Sequence, residues 1–250
     1  MLLAIDIGNS RVKLGVFDGE ALHTKIAFGT GIAGSLDEMH AALGTIASCP
    51  IEAAIGCSVV PDLSESIAAV VKTTFGVDFD LIANDAPFGL DVRYEPLEAA
   101  GTDRLVNCFA AAEKYSLPAI VCSFGTATTI DLVDGNRVLR GGLIAAGMRA
   151  SARALEIEAA RLPDVSIEEP GPLIATTTAD AIRSGIYYAQ IGLVETCVRR
   201  IRDEVGHAKV VATGGFAQLI AEQTDAIDIL DPELTLEGLR MLYSRRSGRG

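Results

Sequence analysis

The chain has 250 residues, 49% hydrophobic and 22% charged, a balance that excludes a disordered chain and provides ample material for buried cores. A formal net charge of −12 argues against nucleic acid as a partner, because phosphates demand a basic surface. No apolar run reaches the roughly 18 residues that span a bilayer, and no cationic, cleavable leader opens the chain. The expected setting is therefore the cytoplasm, with no membrane partner.

Short apolar, β-branched runs bounded by Gly, Asn or Asp predict strands over 2–6, 11–17 and 21–27. Apolar residues three and four apart (Leu36, Met39, Leu43, Ile46), with Ser35 as N-cap, predict a helix over 35–48. A strand over 52–58, a helix over 62–75, a short strand over 79–82 and a helix over 103–115 complete the first half. Residues 84–96, "NDAPFGLDVRYEP", carry the prolines and glycine of an irregular connection. The second half repeats the order. Strands are expected over 119–123, 127–133 and 137–144, then helices over 148–160 and 178–204. A strand over 208–212, a helix over 215–222, a strand over 227–230 and a helix over 234–246 follow, before a polar, frayed "SRRSGRG" tail. Three meandering strands and then alternating helices and strands, twice over, imply two similar α/β lobes, 1–115 and 116–250; one large mixed sheet is the alternative. Cys49, Cys57, Cys108, Cys122 and Cys197 are odd in number and set among apolar residues, which suits free thiols in a reducing compartment. His23, His40 and His207 have no ligand-like spacing, so no protein-bound transition metal is expected.

One stretch occurs twice. "LLAIDIGNSRVKLGVFD" and "IVCSFGTATTID" each place a small polar turn between two apolar runs. They overlay with Gly8 on Gly125, Asn9-Ser10 on Thr126-Ala127 and Asp6 on Ser123. A turn of Gly and small hydroxyl residues presents backbone N–H groups with no bulky side chain in the way, a concavity suited to phosphate. Two such turns could hold a nucleotide's phosphate chain from both sides, with Asp6 placed to hold Mg2+ directly or through water. A third glycine site, "VVATGGFAQL", follows a predicted strand and would let a base or ribose approach closely, although an ordinary strand-to-helix turn reads the same way. In "GTDR" at 101–104, an Asp beside a helix start offers a proton acceptor and the following Arg can anchor polar groups; an N-cap with a surface Arg is the competing reading. Tyr94 could equally be a core aromatic, and Thr178 a helix cap.

The ordered set "DIGNS" (6–10), "SVVP" (58–61), "RYEP" (93–96), "GTDR" (101–104), "FGTATT" (124–129), "GGLIAAG" (141–147), "TTTADAIRSG" (176–185) and "TGG" (213–215) resembles the type III pantothenate kinases, within the acetate and sugar kinase/Hsp70/actin superfamily. The resemblance implies two ribonuclease H-like lobes, an actin-like duplicated fold with an ATP cleft between them. It also implies phosphorylation of pantothenate by ATP, the first step of coenzyme A biosynthesis. By the same resemblance Asp6, Ile7, Gly8, Asn9, Ser10, Arg11, Val12 and Lys13 hold ATP phosphates, with Asp6 near Mg2+. Thr126 would contact ATP, and Gly214 and Gly215 would lie near the adenosine. Tyr94, Gly101, Thr102, Asp103, Arg104 and Thr178 correspond to pantothenate-binding positions, Asp103 being the proton acceptor. Members are typically homodimers in which the second subunit helps enclose pantothenate, and they require K+ or ammonium.

Two positions depart from the family pattern. The second turn normally begins with an Asp that binds the monovalent cation, and here that position is Ser123. Asp131 does not replace it, since relatives commonly carry an acid there too. Ala146 stands where a proline usually precedes the next helix. Three functions are therefore in play: an active pantothenate kinase with altered cation dependence, a weakly catalytic or non-catalytic regulatory relative, or a superfamily phosphotransferase with another hydroxylated substrate. Retention of Asp6, Asp103 and Arg104 favours the first.

Overall fold

The computed structural model describes residues 1–30, 35–159 and 161–248. The side chains of Ser35 and Leu36 lie outside the described residues, and with them the N-cap assigned to Ser35. Residue 160, the expected end of the fourth helix, also lies outside them.

In the first lobe β1 (Leu2–Ile7), β2 (Arg11–Asp18) and β3 (Ala21–Gly29) meander antiparallel. Helix α1 (Ser35–Thr45) leads into β4 (Ala53–Ser58), parallel to β1, and α2 (Pro61–Phe75) leads into β5 (Phe79–Leu81), parallel to β4. The sheet order is β3-β2-β1-β4-β5. All six residues of β1 are buried, as a central strand covered on both faces requires. Edge strand β3 alternates exposed and half-buried positions, the period of a strand with one wet face. On one face of the sheet Leu3, Ile5, Ile7, Val12 and Leu14 meet Met39 and Leu43 of α1 and Ile67 and Val71 of α2.

The segment read as an irregular connection contains a short strand, β6 (Asp91–Val92), and a 3-10 turn, Leu97–Ala99, before α3 (Thr102–Lys114). Two residues carry no periodicity, so sequence pattern could not reveal β6. It pairs parallel to β9, the third strand of the second lobe, and the Arg93 N–H then donates to the Leu139 carbonyl.

In the second lobe β7 (Ala119–Phe124), β8 (Ala127–Val133) and β9 (Val138–Ala146) form the next antiparallel meander. Helices α4 (Met148–Glu158) and α5 (Thr178–Val205) precede β10 (Lys209–Thr213), parallel to β7; α6 (Ala217–Ala221) precedes β11 (Ile229–Leu230), parallel to β10. The order β11-β10-β7-β8-β9-β6 repeats the first sheet strand for strand and adds β6 at one edge. Two sheets replace the alternative of one. Ile120, Cys122, Phe124 and Ile130 form this lobe's core with Ile182, Ile186, Tyr187 and Val194 of α5.

The compact units are not the continuous halves 1–115 and 116–250. One comprises Met1–Leu90, Tyr94–Ala110 and Glu233–Gly250; the other comprises Asp91–Arg93 and Ala111–Pro232. The last helix, α7 (Leu234–Arg246), packs on β1, β2 and β4. Leu234, Leu236, Leu239 and Leu242 are buried there, and a side chain at Gly238 would collide with Val106 and Ala110 of α3. Burial of a leucine stripe, worth about 1.5–3 kcal/mol per side chain, draws the chain's end back to its beginning.

All five cysteines are free; Cys57, Cys108 and Cys122 are buried and Cys49 and Cys197 partly so. Among the described residues no helix is long and apolar enough to cross a membrane.

Candidate active site

In the first lobe, β1 ends at Asp6-Ile7 and the chain reverses through Gly8, Asn9 and Ser10 into β2, which begins Arg11-Val12-Lys13. The Gly8 N–H donates to the Arg11 carbonyl at 3.0 Å, closing the turn. Thr30, just beyond β3, steadies it from outside: its hydroxyl donates to the Asn9 carbonyl at 2.5 Å and its N–H to the Ser10 carbonyl at 3.2 Å. Asn9, Ser10 and Arg11 remain exposed. Register aligns Asp6 with Lys13 on β2 and with Cys57 on β4. The Lys13 ammonium stands 3.3 Å from the Asp6 carboxylate, and the Cys57 thiol donates to the same carboxylate at 3.7 Å. Cys57 is wholly buried, and that burial, then the charges of Asp6 and Asp103, push its thiol well above its ordinary range. Both carboxylates therefore lie within electrostatic reach of one buried sulfur.

Helix α3 begins one residue earlier than expected, so Asp103 is its second residue rather than its first. Gly101 caps the start: its carbonyl accepts from the N–H groups of Arg104 at 3.0 Å and Leu105 at 3.2 Å. Asp103 Oδ1 accepts from the Arg104 N–H at 2.9 Å, and a carboxylate in the first turn complements the helix dipole. Arg104 is 8% exposed, which removes the surface-arginine reading. Its Nη1 donates to the Tyr94 hydroxyl at 3.3 Å, and its guanidinium carbon lies 5.1 Å from the centre of the Tyr94 ring. Thr102, also buried, donates its hydroxyl to Asn84 Oδ1 at 2.6 Å. Tyr94, Gly101, Thr102, Asp103 and Arg104 are thus one local cluster.

The second lobe repeats the turn with one residue fewer. The Gly125 N–H donates to the Ala127 carbonyl at 3.0 Å, so Ala127 does the work of Arg11 and the overlay of Ser10 on Ala127 does not hold. Thr126 is exposed at the tip, and its carbonyl accepts from the Gly147 N–H at 3.1 Å. A Cβ at Gly147 would stand 2.6 Å from that carbonyl oxygen, so only glycine fits there. Ala146, where the family pattern has proline, gives its carbonyl to Gln190 Nε2 at 2.9 Å. Gly214, after β10, has φ +97°, and a Cβ on it would lie 2.5 Å from the Phe124 carbonyl. The backbone here runs directly over the end of β7, and Gly215 beside it is exposed.

Register aligns Ser123 with Thr129 on β8 and Thr213 on β10. These are the sites that Asp6, Lys13 and Cys57 hold in the first lobe. An acid, an amine and a thiol become three hydroxyls. The Oγ1 atoms of Thr129 and Thr213 are buried without a hydrogen-bond partner, an arrangement that costs free energy unless something else coordinates them. Thr129 and Thr213 lay inside the quoted "FGTATT" and "TGG", but only strand register shows that they meet Ser123.

Thr178 is the first residue of α5 and is exposed; the helix cap is Thr177, whose hydroxyl oxygen accepts from the Asp180 N–H at 3.2 Å. Thr178 lines a largely apolar groove of about 690 Å³ with Leu155, Leu162, Ile182 and Ile186. The hydrophobic run along α5 is mostly consumed within its own lobe, where Ile182, Ile186, Tyr187, Ile191, Val194 and Val198 are buried.

The family described as type III pantothenate kinase matches residues 2–200. A type III pantothenate kinase of Agathobacter rectalis is 34% identical over 258 residues, covering 100% of this chain and 99% of that protein. Among solved structures, a conserved Campylobacter jejuni protein described as a Baf family transcriptional activator superposes with a TM-score of 0.62 at 20% identity, over 98% of this chain and 99% of its own. A Porphyromonas gingivalis protein described as an N-acetylglucosamine kinase gives 0.52 at 11% identity, over 99% and 100%. At such identities the structural likenesses establish the fold alone, the two-lobed actin-like α/β architecture.

Proposed function

The chain belongs to the type III pantothenate kinase family, and from that premise we propose how its residues divide the work of phosphorylating pantothenate with ATP. Phosphoryl transfer asks little covalent chemistry of a protein; positioning and charge supply most of the catalysis. Asp103 accepts the proton of the pantothenate hydroxyl. Arg104, pinned by Tyr94, anchors the substrate's anionic end, and Gly101 and Thr102 line the same pocket. The segment from Asp6 to Lys13 holds the phosphates, Lys13 being a cation that Asp6 keeps in place and a phosphate can share. Thr126 contacts ATP, and the bare backbone of Gly214 and Gly215 lies against the adenosine. The observation that carries this reading is the pair of clusters the first lobe builds: Asp6 held 3.3 Å from Lys13 beside the Gly8 turn, and Asp103 with the buried Arg104 and Tyr94 at the start of α3. A phosphate-side carboxylate with a cation, and a proton acceptor beside a fixed guanidinium, suit attack of a hydroxyl on a phosphoryl group. The test is pantothenate-dependent release of ADP, measured as an initial rate.

Asp6 is also the group that would hold Mg2+. It brings a carboxylate without a surrounding cage, since no three His, Cys, Asp or Glu side chains cluster among the described residues. That suits a cation that keeps waters and shares one or two carboxylates with substrate phosphates, whose charge it would offset during transfer.

Ser123 is where a monovalent cation is expected, and its neighbours fit one. Two buried hydroxyl oxygens without partners flank it, and Asp131 lies buried on the same face of β8. The set offers neutral oxygens in place of a direct carboxylate, so K+ or ammonium is held weakly. At an effective dielectric constant of about 20, a carboxylate 4 Å from a cation gains about 4 kcal/mol, far more than a hydroxyl dipole. Ser123→Asp is therefore expected to lower the K+ concentration for half-maximal rate by about tenfold or more and to lower the KM for ATP. If the natural protein already saturates at low-millimolar K+ and the variant gains nothing, the hydroxyl set is sufficient as it stands.

The active protein is a cytoplasmic homodimer in which Thr178 of one subunit closes the pantothenate pocket of the other. The exposed Thr178 and its apolar groove support this. Light scattering should give a mass near twice 26.2 kDa, and 26 kDa at working concentration would contradict it.

A further inference from the structure

Asn84 opens the connection 84–96, and it makes three hydrogen bonds to the segment carrying the pantothenate cluster. Its Nδ2 donates to the carbonyl of Leu97 at 2.9 Å and to that of Ala100 at 2.7 Å. Its Oδ1 accepts from the Thr102 hydroxyl at 2.6 Å. The orientation of the amide follows from its partners. Two carbonyls can only accept, so the NH2 faces them, and the remaining oxygen meets a hydroxyl that can donate. One half-buried side chain thereby spans the 3-10 turn Leu97–Ala99, the Gly101 cap and the first residue of α3. The next two residues along the helix are Asp103 and Arg104.

We propose that Asn84 is a positioning residue for pantothenate phosphorylation, setting where α3 starts and hence where the Asp103 carboxylate and the Arg104 guanidinium stand. The inference rests on the roles given above to those two residues. The reason a clamp matters is the local architecture. Gly101 leaves the turn without a side chain of its own, and a Cβ there would fall 2.7 Å from Asp103 Oδ1, so the carboxylate lies folded back over a bare backbone. Backbone so little constrained from within can shift along the helix axis unless carbonyls on its approach are tied to something else. Asn84 ties two of them and the first hydroxyl of the helix at once. It touches neither Asp103 nor Arg104 through any of these bonds, so its influence passes through the path of the chain.

A general base displaced by about 1 Å can cost up to about 10²-fold. Asn84→Ala is expected to lower kcat/KM for pantothenate about 10- to 100-fold while the KM for ATP stays within about twofold. A merely structural loss would weaken both substrates alike. Asn84→Asp keeps the oxygen that accepts from Thr102 and loses the NH2 that holds the carbonyls of Leu97 and Ala100, so it should reproduce much of the loss. If Asn84→Ala fails to fold, Asn84→Asp decides by the same split between the two substrates. Unchanged pantothenate kinetics in the folded variant, or an equal rise in both KM values, overturns the proposal. Asp103→Asn measured alongside separates the two levels of the argument. Full activity in that variant removes the role on which Asn84 depends. A crippled Asp103→Asn beside a normal Asn84→Ala overturns Asn84 alone.

Discussion

Asp103→Asn is expected to lower kcat by 10²–10⁴-fold, the usual cost of removing a general base. The substitution changes charge more than shape. An asparagine Oδ1 can still accept from the Arg104 N–H that Asp103 now holds at 2.9 Å, so the start of α3 should survive and the melting temperature should move little. Loss of kcat with an unchanged KM for pantothenate would place the carboxylate's contribution in the transition state; a raised KM with normal kcat would make it a binding group only. Initial rates with pantothenate and ATP varied separately distinguish these outcomes. An unchanged kcat would mean that Asp103 has been given the wrong role.

Asp6→Asn should cost about 10²–10³-fold in kcat, the scale on which one fixed electrostatic contact to a transferring group is felt. It also has a readout that requires no turnover. Burial is the largest cause holding the Cys57 thiol high, and the Asp6 charge is the next. Neutralising that charge leaves the thiolate less disfavoured, so the thiol must titrate at lower pH than in the natural protein while burial still keeps it above its ordinary value. Alkylation of Cys57 at a fixed alkaline pH should therefore be faster in Asp6→Asn. A rate that falls or stays constant would show that Asp6 does not set the field around this sulfur. Lys13 loses its 3.3 Å partner in the same variant, so a higher KM for ATP should accompany the fall in kcat.

By itself the sequence determined the elements and their duplication. Gly8 and Gly125 each sit between apolar runs, and side-chain alternation and helical spacing are properties of residues close together in the chain. Among the described residues seventeen strands and α-helices were legible to within a few residues for that reason, and β6 was not. The Asp6–Lys13 pair was within reach too, because a tight turn brings adjoining strands into a register that can be counted. What joins Asp6 to Cys57, or Ser123 to Thr213, is a parallel neighbour reached through a long crossover, and no local pattern states that register. The tertiary structure alone decided that three hydroxyls meet where the first lobe has an acid, an amine and a thiol. It alone returned α7 to the first strands of the chain and set Asn84 against the start of α3. Those contacts arise from competition among all surfaces that could be buried and all polar groups that must be paired, and that competition is settled only when the whole chain has folded.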